Sequence, residues 1–142
     1  MGTGIYENCY CCGGGNDCPC CTSGTPKTTI TVTFTGVVNN GCGNCANYNS
    51  SFVLNYVGGC LWRSDPAECD HIIELFLFDF DPGCIWELWI YDTNDLPNID
   101  GAFSDNAAPG DRDCDSLPSL FYNAVGSANI DCDWSGATAT LS

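Results

Sequence analysis

Residues 72–91 read IIELFLFDFDPGCIWELWIY, and this stretch indicates the fold class more strongly than any other. Two apolar runs, rich in the β-branched and aromatic residues that favour strands, flank the turn sequence Asp81-Pro82-Gly83. The first run is apolar on both faces apart from Glu74, and the second run has the same character. We therefore expect an antiparallel hairpin at the centre of the fold. Its two buried faces predict a second layer, as in a β-sandwich.

Shorter strand patterns lie on either side of this hairpin. Residues 28–35 alternate between threonine and apolar residues and predict a half-buried strand. Further strands are expected at 52–57, 60–63, 119–122, 130–134 and 137–141. The predicted fold is all-β: an antiparallel β-sandwich of jelly-roll or immunoglobulin-like type over residues 27–142, preceded by a cysteine-rich N-terminal arm at 1–26.

Residues 92–117 are polar and predict a long loop, with a short edge strand near 101–103. Asp92, Asp95 and Asp100 offer the hard oxygen ligands that calcium prefers, so we name them as a candidate calcium site. Their spacing does not match the EF-hand loop. The alternative interpretation is an acidic loop surrounded by water.

The composition excludes several classes of protein. A chain of 142 residues predicts one domain, and 18 acidic against 3 basic residues give it a formal charge of −15. Nucleic-acid binding needs many lysines and arginines, so no nucleic-acid partner is expected. No apolar run approaches the roughly 20 residues of a membrane-spanning helix, so no membrane insertion is expected either.

The chain has 13 cysteines, and six of them lie in the N-terminal arm. Two pairs in the arm have the C-x-x-C spacing of zinc ligands, although they stand closer together than in common zinc sites. The arm's other two cysteines are not explained by a four-ligand site, so disulfides are favoured over zinc, and redox chemistry comes third. The candidate zinc ligands are Cys9, Cys12, Cys18 and Cys21.

The cysteines beyond the arm suggest further disulfides. Cys60 with Cys69 would staple a short loop, and Cys114 with Cys132 would tie the long loop to a late strand. Because 13 is odd, at least one cysteine is free, bound to metal or paired with another chain. Pairing with another chain would suit a covalently linked oligomer.

Residues for catalysis are scarce, and we predict neither an enzyme nor a catalytic residue. His71 is the single histidine, so any site that needs an imidazole would have to use it. An acidic neighbourhood makes it a loop residue in the simpler interpretation. No cofactor-binding motif is present, since the glycine run at 13–15 does not follow a strand and open a helix.

Aromatic residues leave a glycan-binding module open as an alternative. Four tryptophans offer surfaces on which sugars stack, but tryptophans in apolar strands more often belong to a core. Trp86 and Trp89 point to opposite faces of one strand, so one of them is a candidate for a surface. The sequence at 49–51 matches the glycosylation motif, which is too common to carry weight alone.

Several motifs follow one another along residues 18–91. They are CPCC at 18–21, the strand PKTTITVTFTG at 26–36, Cys42 with Cys45, the strand NSSFVL at 49–54, CLW at 60–62 and the two apolar strands. In this order they resemble cysteine-rich β-sandwich proteins encoded among the structural genes of tailed bacteriophages. The resemblance implies a virion surface component or an adhesive module, and no catalytic residue comes with it.

These observations predict a non-enzymatic structural protein of an extracellular assembly, most simply a phage virion decoration, collar or fibre component. We expect it to self-associate into a homo-oligomer, through the threonine face of residues 28–35 or an edge strand. The arm is expected to attach to a neighbouring subunit. The alternatives are a secreted glycan-binding module, calcium-dependent or not, and a small zinc-binding protein. The N-terminus lacks a basic start and an apolar segment, so release without a secretory signal is expected.

Overall fold

The computed structural model describes residues 25–37, 48–65, 71–79, 84–92, 99–108, 114–115, 117–123 and 134–142. These residues form eight β-strands and contain no helix. The strands are β1 (Thr29–Thr35), β2 (Ser51–Gly58), β3 (Leu61–Ser64), β4 (His71–Asp79), β5 (Cys84–Asp92), β6 (Ile99–Ser104), β7 (Leu120–Asn123) and β8 (Thr138–Leu141).

The eight strands form a closed antiparallel barrel. Each strand pairs with the next one along the chain, and β8 closes the barrel by pairing with β1. The predicted sandwich of jelly-roll or immunoglobulin-like type is therefore wrong. A barrel is one sheet closed on itself, so its own opposite wall supplies the second layer that the apolar hairpin requires. The same closure leaves β1–β8 without the edge strand that we expected to pair with another chain.

The predicted central hairpin is confirmed as β4 and β5, which pair over nine positions from His71↔Asp92 to Asp79↔Cys84. One face of the hairpin points into the barrel, where it contributes Leu75, Trp86 and Leu88 to the core. The opposite face carries a second apolar group outside the barrel, which we call the outer cluster. It consists of Leu61, Phe76, Phe78 and Trp89. The inward face of the hairpin thus packs in the core of the barrel, and its outward face packs in the outer cluster.

The alternating strand at 28–35 is confirmed as β1. Ile30, Val32 and Phe34 are buried inside the barrel, while the threonines between them point outward. The strands expected at 52–57, 60–63, 119–122 and 137–141 correspond to β2, β3, β7 and β8. Of the strand expected at 130–134, only Trp134 is described, and it lies outside any strand.

The expected edge strand near 101–103 is instead an internal strand of the barrel. It is β6, which pairs with β5 on one side and with β7 on the other. Gly101 lies against Trp134, and a Cβ atom on this glycine would stand 3.0 Å from two atoms of the indole ring. Phe34, Tyr48 and Phe103 surround the same ring. The glycine therefore makes room for one of the three buried tryptophans.

One disulfide of the barrel joins Cys60 to Cys114, residues 54 positions apart. The expected pairings of Cys60 with Cys69 and of Cys114 with Cys132 are therefore wrong, because spacing along the chain does not report which strand ends meet in a barrel. Cys60 follows Gly59 in the turn between β2 and β3, and both have a φ of 60°. A side chain in this left-handed region is strained, and here the disulfide holds it. Cys84 is disulfide-bonded as well.

The barrel has two ends, which we name after His71 and Cys84. The odd-numbered strands run toward the His71 end, and the even-numbered strands return to the Cys84 end. The turn at residues 59–60 and the first residues of β1 belong to the Cys84 end. The predicted boundary between an arm at 1–26 and a domain at 27–142 stays a prediction, because residues 1–24 lie outside the described ranges.

Candidate functional site

The outward side chains of β7, β8, β1 and β2 form one continuous surface without a charged group. Barrel closure creates this surface, because it places Thr140 of β8 opposite Thr33 of β1. We call it the neutral face. It consists of Leu120, Tyr122, Thr138, Thr140, Thr29, Thr31, Thr33, Thr35, Ser51, Val53, Asn55 and Val57.

Hydrogen bonds between neighbouring strands order the hydroxyl groups of the neutral face. The Oγ1 atom of Thr33 lies 2.7 Å from Ser51 Oγ, and the Oγ1 atoms of Thr35 and Thr138 are 3.0 Å apart. Threonine and valine are β-branched and have few rotamers to lose when a partner covers them. Covering this surface therefore costs little side-chain entropy.

The neutral face also carries the exposed apolar groups of the barrel. Among the described residues, the large hydrophobic side chains that are exposed are Val53 at 55%, Val57 at 53% and Tyr122 at 44%. All three lie on the neutral face. Val53 and Val57 are both outward positions of β2, and Tyr122 lies three strands away on β7, so the apolar groups mark both sides of the neutral face.

The opposite wall of the barrel, formed by β3, β4 and β5, carries charged side chains, of which Glu74 and Glu87 are buried. Arg63 forms an ion pair with Glu74, with Nε and Oε2 2.5 Å apart. Tyr91 lies beside this pair, and its pKa is raised to about 12, first by burial and then by the charge of Glu74. This wall therefore differs from the neutral face in both charge and exposure.

Glu87 is a buried acid of the same wall. Burial is the main cause that raises its pKa, and the charge of Asp105 raises it further. The indole of Trp89 donates a hydrogen bond of 2.6 Å to Oε1, and this contact lowers the pKa and so opposes the shift. Because the pKa is raised, the folded protein holds this proton more tightly than the unfolded chain. This site therefore lowers the free energy of unfolding as the pH rises through the ordinary and then the raised pKa.

We expect Glu87→Gln to raise the free energy of unfolding at pH 7, because it removes the buried charge and keeps an acceptor for Trp89. It should also remove the loss of stability that accompanies ionisation of Glu87. Urea unfolding at several pH values measures both effects. The matched variant Glu74→Gln should instead destabilise the protein, because it breaks the ion pair with Arg63. A Glu87→Gln variant that is less stable than wild type at pH 7 would contradict this account.

Two of the three candidate calcium ligands, Asp92 and Asp100, lie in strands at the His71 end. Asp92 is the last residue of β5 and Asp100 is the second residue of β6, next to an irregularity in the pairing of these strands. Asp95 is not among the described residues, and neither are the candidate zinc ligands Cys9, Cys12, Cys18 and Cys21. Within the described ranges, no three histidine, cysteine, aspartate or glutamate side chains come together as a metal site would require.

His71 is buried at the start of β4, so its assignment to a loop was wrong. Its ring contacts Tyr48 edge-on, with ring centres 5.6 Å apart. A general base needs access to its substrate. The packing of His71 therefore suits a structural role.

The tryptophans are mostly interior, as their strand positions indicate. Trp62, Trp86 and Trp134 are buried, and Trp89 is half-buried in the outer cluster. Trp86 and Trp89 do point to opposite faces of β5, as expected. Sugar-binding sites use exposed aromatic faces, so the described tryptophans do not favour the glycan-binding alternative.

Asn49 of the glycosylation motif is engaged with the backbone of Val37. Its Nδ2 atom donates to the Val37 carbonyl at 2.8 Å, and its Oδ1 atom accepts from the Val37 amide at 2.9 Å. A glycan would replace a hydrogen of the donating nitrogen. The folded protein therefore presents this asparagine in a conformation that disfavours modification.

Asn49→Asp tests this contact. An aspartate keeps the acceptor but places a second oxygen against the Val37 carbonyl, so we expect a loss of about 1–2 kcal/mol in the free energy of unfolding. Thermal unfolding measures the effect. The control Asn106→Asp changes an exposed asparagine outside the neutral face in the same way and should cost less. Equal losses for the two variants would contradict the role of Asn49.

One cavity opens at the Cys84 end of the barrel. It has a volume of about 100 Å³ and is lined by Lys27, Ile30, Leu117, Pro118, Ser119, Leu141 and Ser142. Sites for small molecules usually measure about 300–1,000 Å³. This cavity is therefore too small to be a candidate site for such a ligand.

Comparison with known protein families, with curated proteins and with solved structures finds no match for this chain. In the part of the chain that the structure describes, no helix is long and apolar enough to cross a membrane.

Proposed function

We propose that the protein is a non-enzymatic structural subunit of an extracellular assembly, and that its copies associate through the neutral face. The observation that carries this proposal is the position of the exposed apolar groups. Val53, Val57 and Tyr122 share one surface with ordered threonines, and that surface has no charged side chain.

Electrostatics favours a second copy of the chain as the occupant of this face. With a formal charge of −15, two copies repel each other wherever acidic surfaces meet. The neutral face lets them approach with the fewest carboxylates in contact. A basic partner would bind an acidic surface instead, so the uncharged face is the surface through which two acidic copies can meet.

The disulfides support an extracellular location. The bond between Cys60 and Cys114 and the disulfide at Cys84 fit an oxidising environment, where such bonds persist. A virion decoration, collar or fibre component is the finer form of the same proposal. Mass spectrometry of purified particles tests this finer form, because a structural component is recovered in stoichiometric amounts.

Val53→Glu tests the neutral face. We expect wild-type protein to form oligomers in sedimentation velocity at micromolar concentration. Placing a carboxylate in the contact should weaken association at least tenfold, which corresponds to about 1.4 kcal/mol. Ala107→Glu is the matched control, because it adds the same charge at an exposed position outside the face. Monomeric wild-type protein, or equal weakening by both variants, would contradict the proposal.

Varying the salt concentration in the same sedimentation experiment provides a second test of the neutral face. If uncharged surfaces meet and the acidic remainder repels, raising the ionic strength screens the repulsion and strengthens association. An interface made of opposite charges would weaken instead. Dissociation of the oligomer by added salt would therefore contradict the neutral face as the contact.

A further inference from the structure

We propose that copies of the chain associate head to tail, with the β2 side of the neutral face of one copy packed against the β7 side of the next. This inference rests on the proposed function and names the geometry of its contact. We call Val53, Asn55 and Val57 the β2 ridge, and Leu120 and Tyr122 the β7 ridge. Three observations carry the inference: the angle between the ridges, the exposure of their apolar side chains and the different chemistry of the two.

The closed barrel points the two ridges in different directions. Eight strands divide its circumference into steps of about 45°. Because β1 and β8 lie between β2 and β7, the ridges are three steps, or about 135°, apart. Each ridge therefore points about 70° away from the middle of the neutral face. A second barrel is convex as well, so a single contact with it covers one ridge and not both.

The exposed apolar side chains are thus divided between two contacts. Val53 and Val57 lie on the β2 ridge, and Tyr122 lies on the β7 ridge. A contact through the middle of the neutral face would cover threonines and leave all three apolar groups in water. Burying apolar surface is the main gain in association, so the ridges are the favoured contacts. A copy that uses both ridges has two neighbours.

The chemistry of the ridges favours contact between unlike ridges. The hydroxyl group of a tyrosine usually finds a hydrogen-bond partner when the side chain is covered. Asn55 lies between the two valines of β2 and is exposed, and its amide offers both a donor and an acceptor. The outward neighbour of Tyr122 along β7 is Leu120, which offers neither. The β2 ridge therefore provides both apolar and polar partners for Tyr122.

Contact between unlike ridges is heterologous, and such a contact does not stop at two copies. Every chain of copies keeps a free β2 ridge at one end and a free β7 ridge at the other. Growth therefore continues past the dimer into a ring or a filament. A contact between like ridges is isologous, and it is complete when two copies have met.

Two variants, each with one ridge blocked, test this geometry in sedimentation velocity. Val53→Glu places a carboxylate on the β2 ridge, and Tyr122→Glu places one on the β7 ridge. We expect wild-type protein to form species larger than the dimer, and each variant alone to associate at least tenfold more weakly. An equimolar mixture should form one-to-one dimers and nothing larger. In that mixture the intact β7 ridge of the first variant meets the intact β2 ridge of the second.

Val57→Glu provides the matched control, because it blocks the β2 ridge at a second position. Mixed with Tyr122→Glu it should give the same one-to-one dimers. Mixed with Val53→Glu it should associate no more strongly than either variant alone, since both copies then lack the β2 ridge. All three side chains are exposed, so the variants should keep the circular dichroism spectrum of the wild type.

The outcomes separate this inference from the proposed function. Monomeric wild-type protein would contradict both. Wild-type protein that stops at the dimer would overturn the head-to-tail contact and leave association through the neutral face in place. The same holds for a single variant that dimerises as strongly as wild type, and for a mixture of Val53→Glu with Tyr122→Glu that associates no better than its components.

Discussion

Replacing both Cys60 and Cys114 by serine lowers the free energy of unfolding by about 4 kcal/mol in urea titrations. The bond joins residues 54 positions apart. Closing a loop of this length lowers the conformational entropy of the unfolded chain, which stabilises the folded protein by about 4 kcal/mol. A domain of this size has a net stability of about 5–15 kcal/mol, so the loss is a large part of the total. The effect is expected without any change in the strand pairing.

The single variants provide the control for this prediction. Cys60→Ser and Cys114→Ser each break the same bond, so either one should cost nearly as much as the double variant. Two independent sites would give additive losses instead. A double variant that costs the sum of the two singles would contradict the pairing of these cysteines.

Trp134→Ala should lower the free energy of unfolding by about 3–5 kcal/mol, the usual cost of removing a large buried aromatic side chain. The indole is buried and lies within 4.9 Å of the Tyr48 ring centre and 5.5 Å of that of Phe34. Its loss leaves a cavity in the aromatic core, because the surrounding strands are fixed by the closed barrel. Thermal or urea unfolding measures the loss.

Gly101 tests the same contact from the opposite side. In wild-type protein Gly101→Ala places a methyl group 3.0 Å from the indole, and overpacking of this kind costs about 1–3 kcal/mol. In the Trp134→Ala background the methyl group enters the cavity, so the second substitution should cost little or restore stability. Additive losses from the two substitutions would show that these residues do not touch.

Local features of the fold could be predicted from the sequence, and closure could not. The alternation of β1 and the two runs of the central hairpin specify strands, because side chains alternate between faces with a period of two. Side chains alternate in the same way in the strands of a sandwich and in those of a barrel, so the alternation does not distinguish the two folds. Whether β8 pairs with β1 depends on residues more than 100 positions apart, such as Phe34 and Ala139, and no local pattern reports it.

Only part of the candidate site could be predicted from the sequence, because the site also depends on closure of the barrel. The threonines of β1 indicated an unusual outer surface, but Tyr122 and Thr138 join it only through the pairing of β7, β8 and β1. The Cys60–Cys114 bond was missed because strand ends that meet in space are distant in sequence. His71 was misassigned because its acidic neighbours suggested a loop, whereas the residue itself begins a buried strand.

The pairing of β1 with β8 is the claim on which both the barrel and the neutral face depend. Thr31 and Ser142 exchange two backbone hydrogen bonds, so the alternate pairs Val32↔Leu141 and Phe34↔Ala139 bring their Hα atoms close together. Nuclear Overhauser spectroscopy of isotope-labelled protein measures this proximity directly. We expect strong Hα–Hα cross-peaks for both pairs. Cross-peaks from β1 to β2 and from β8 to β7, with none between β1 and β8, would contradict the closed barrel and divide the neutral face.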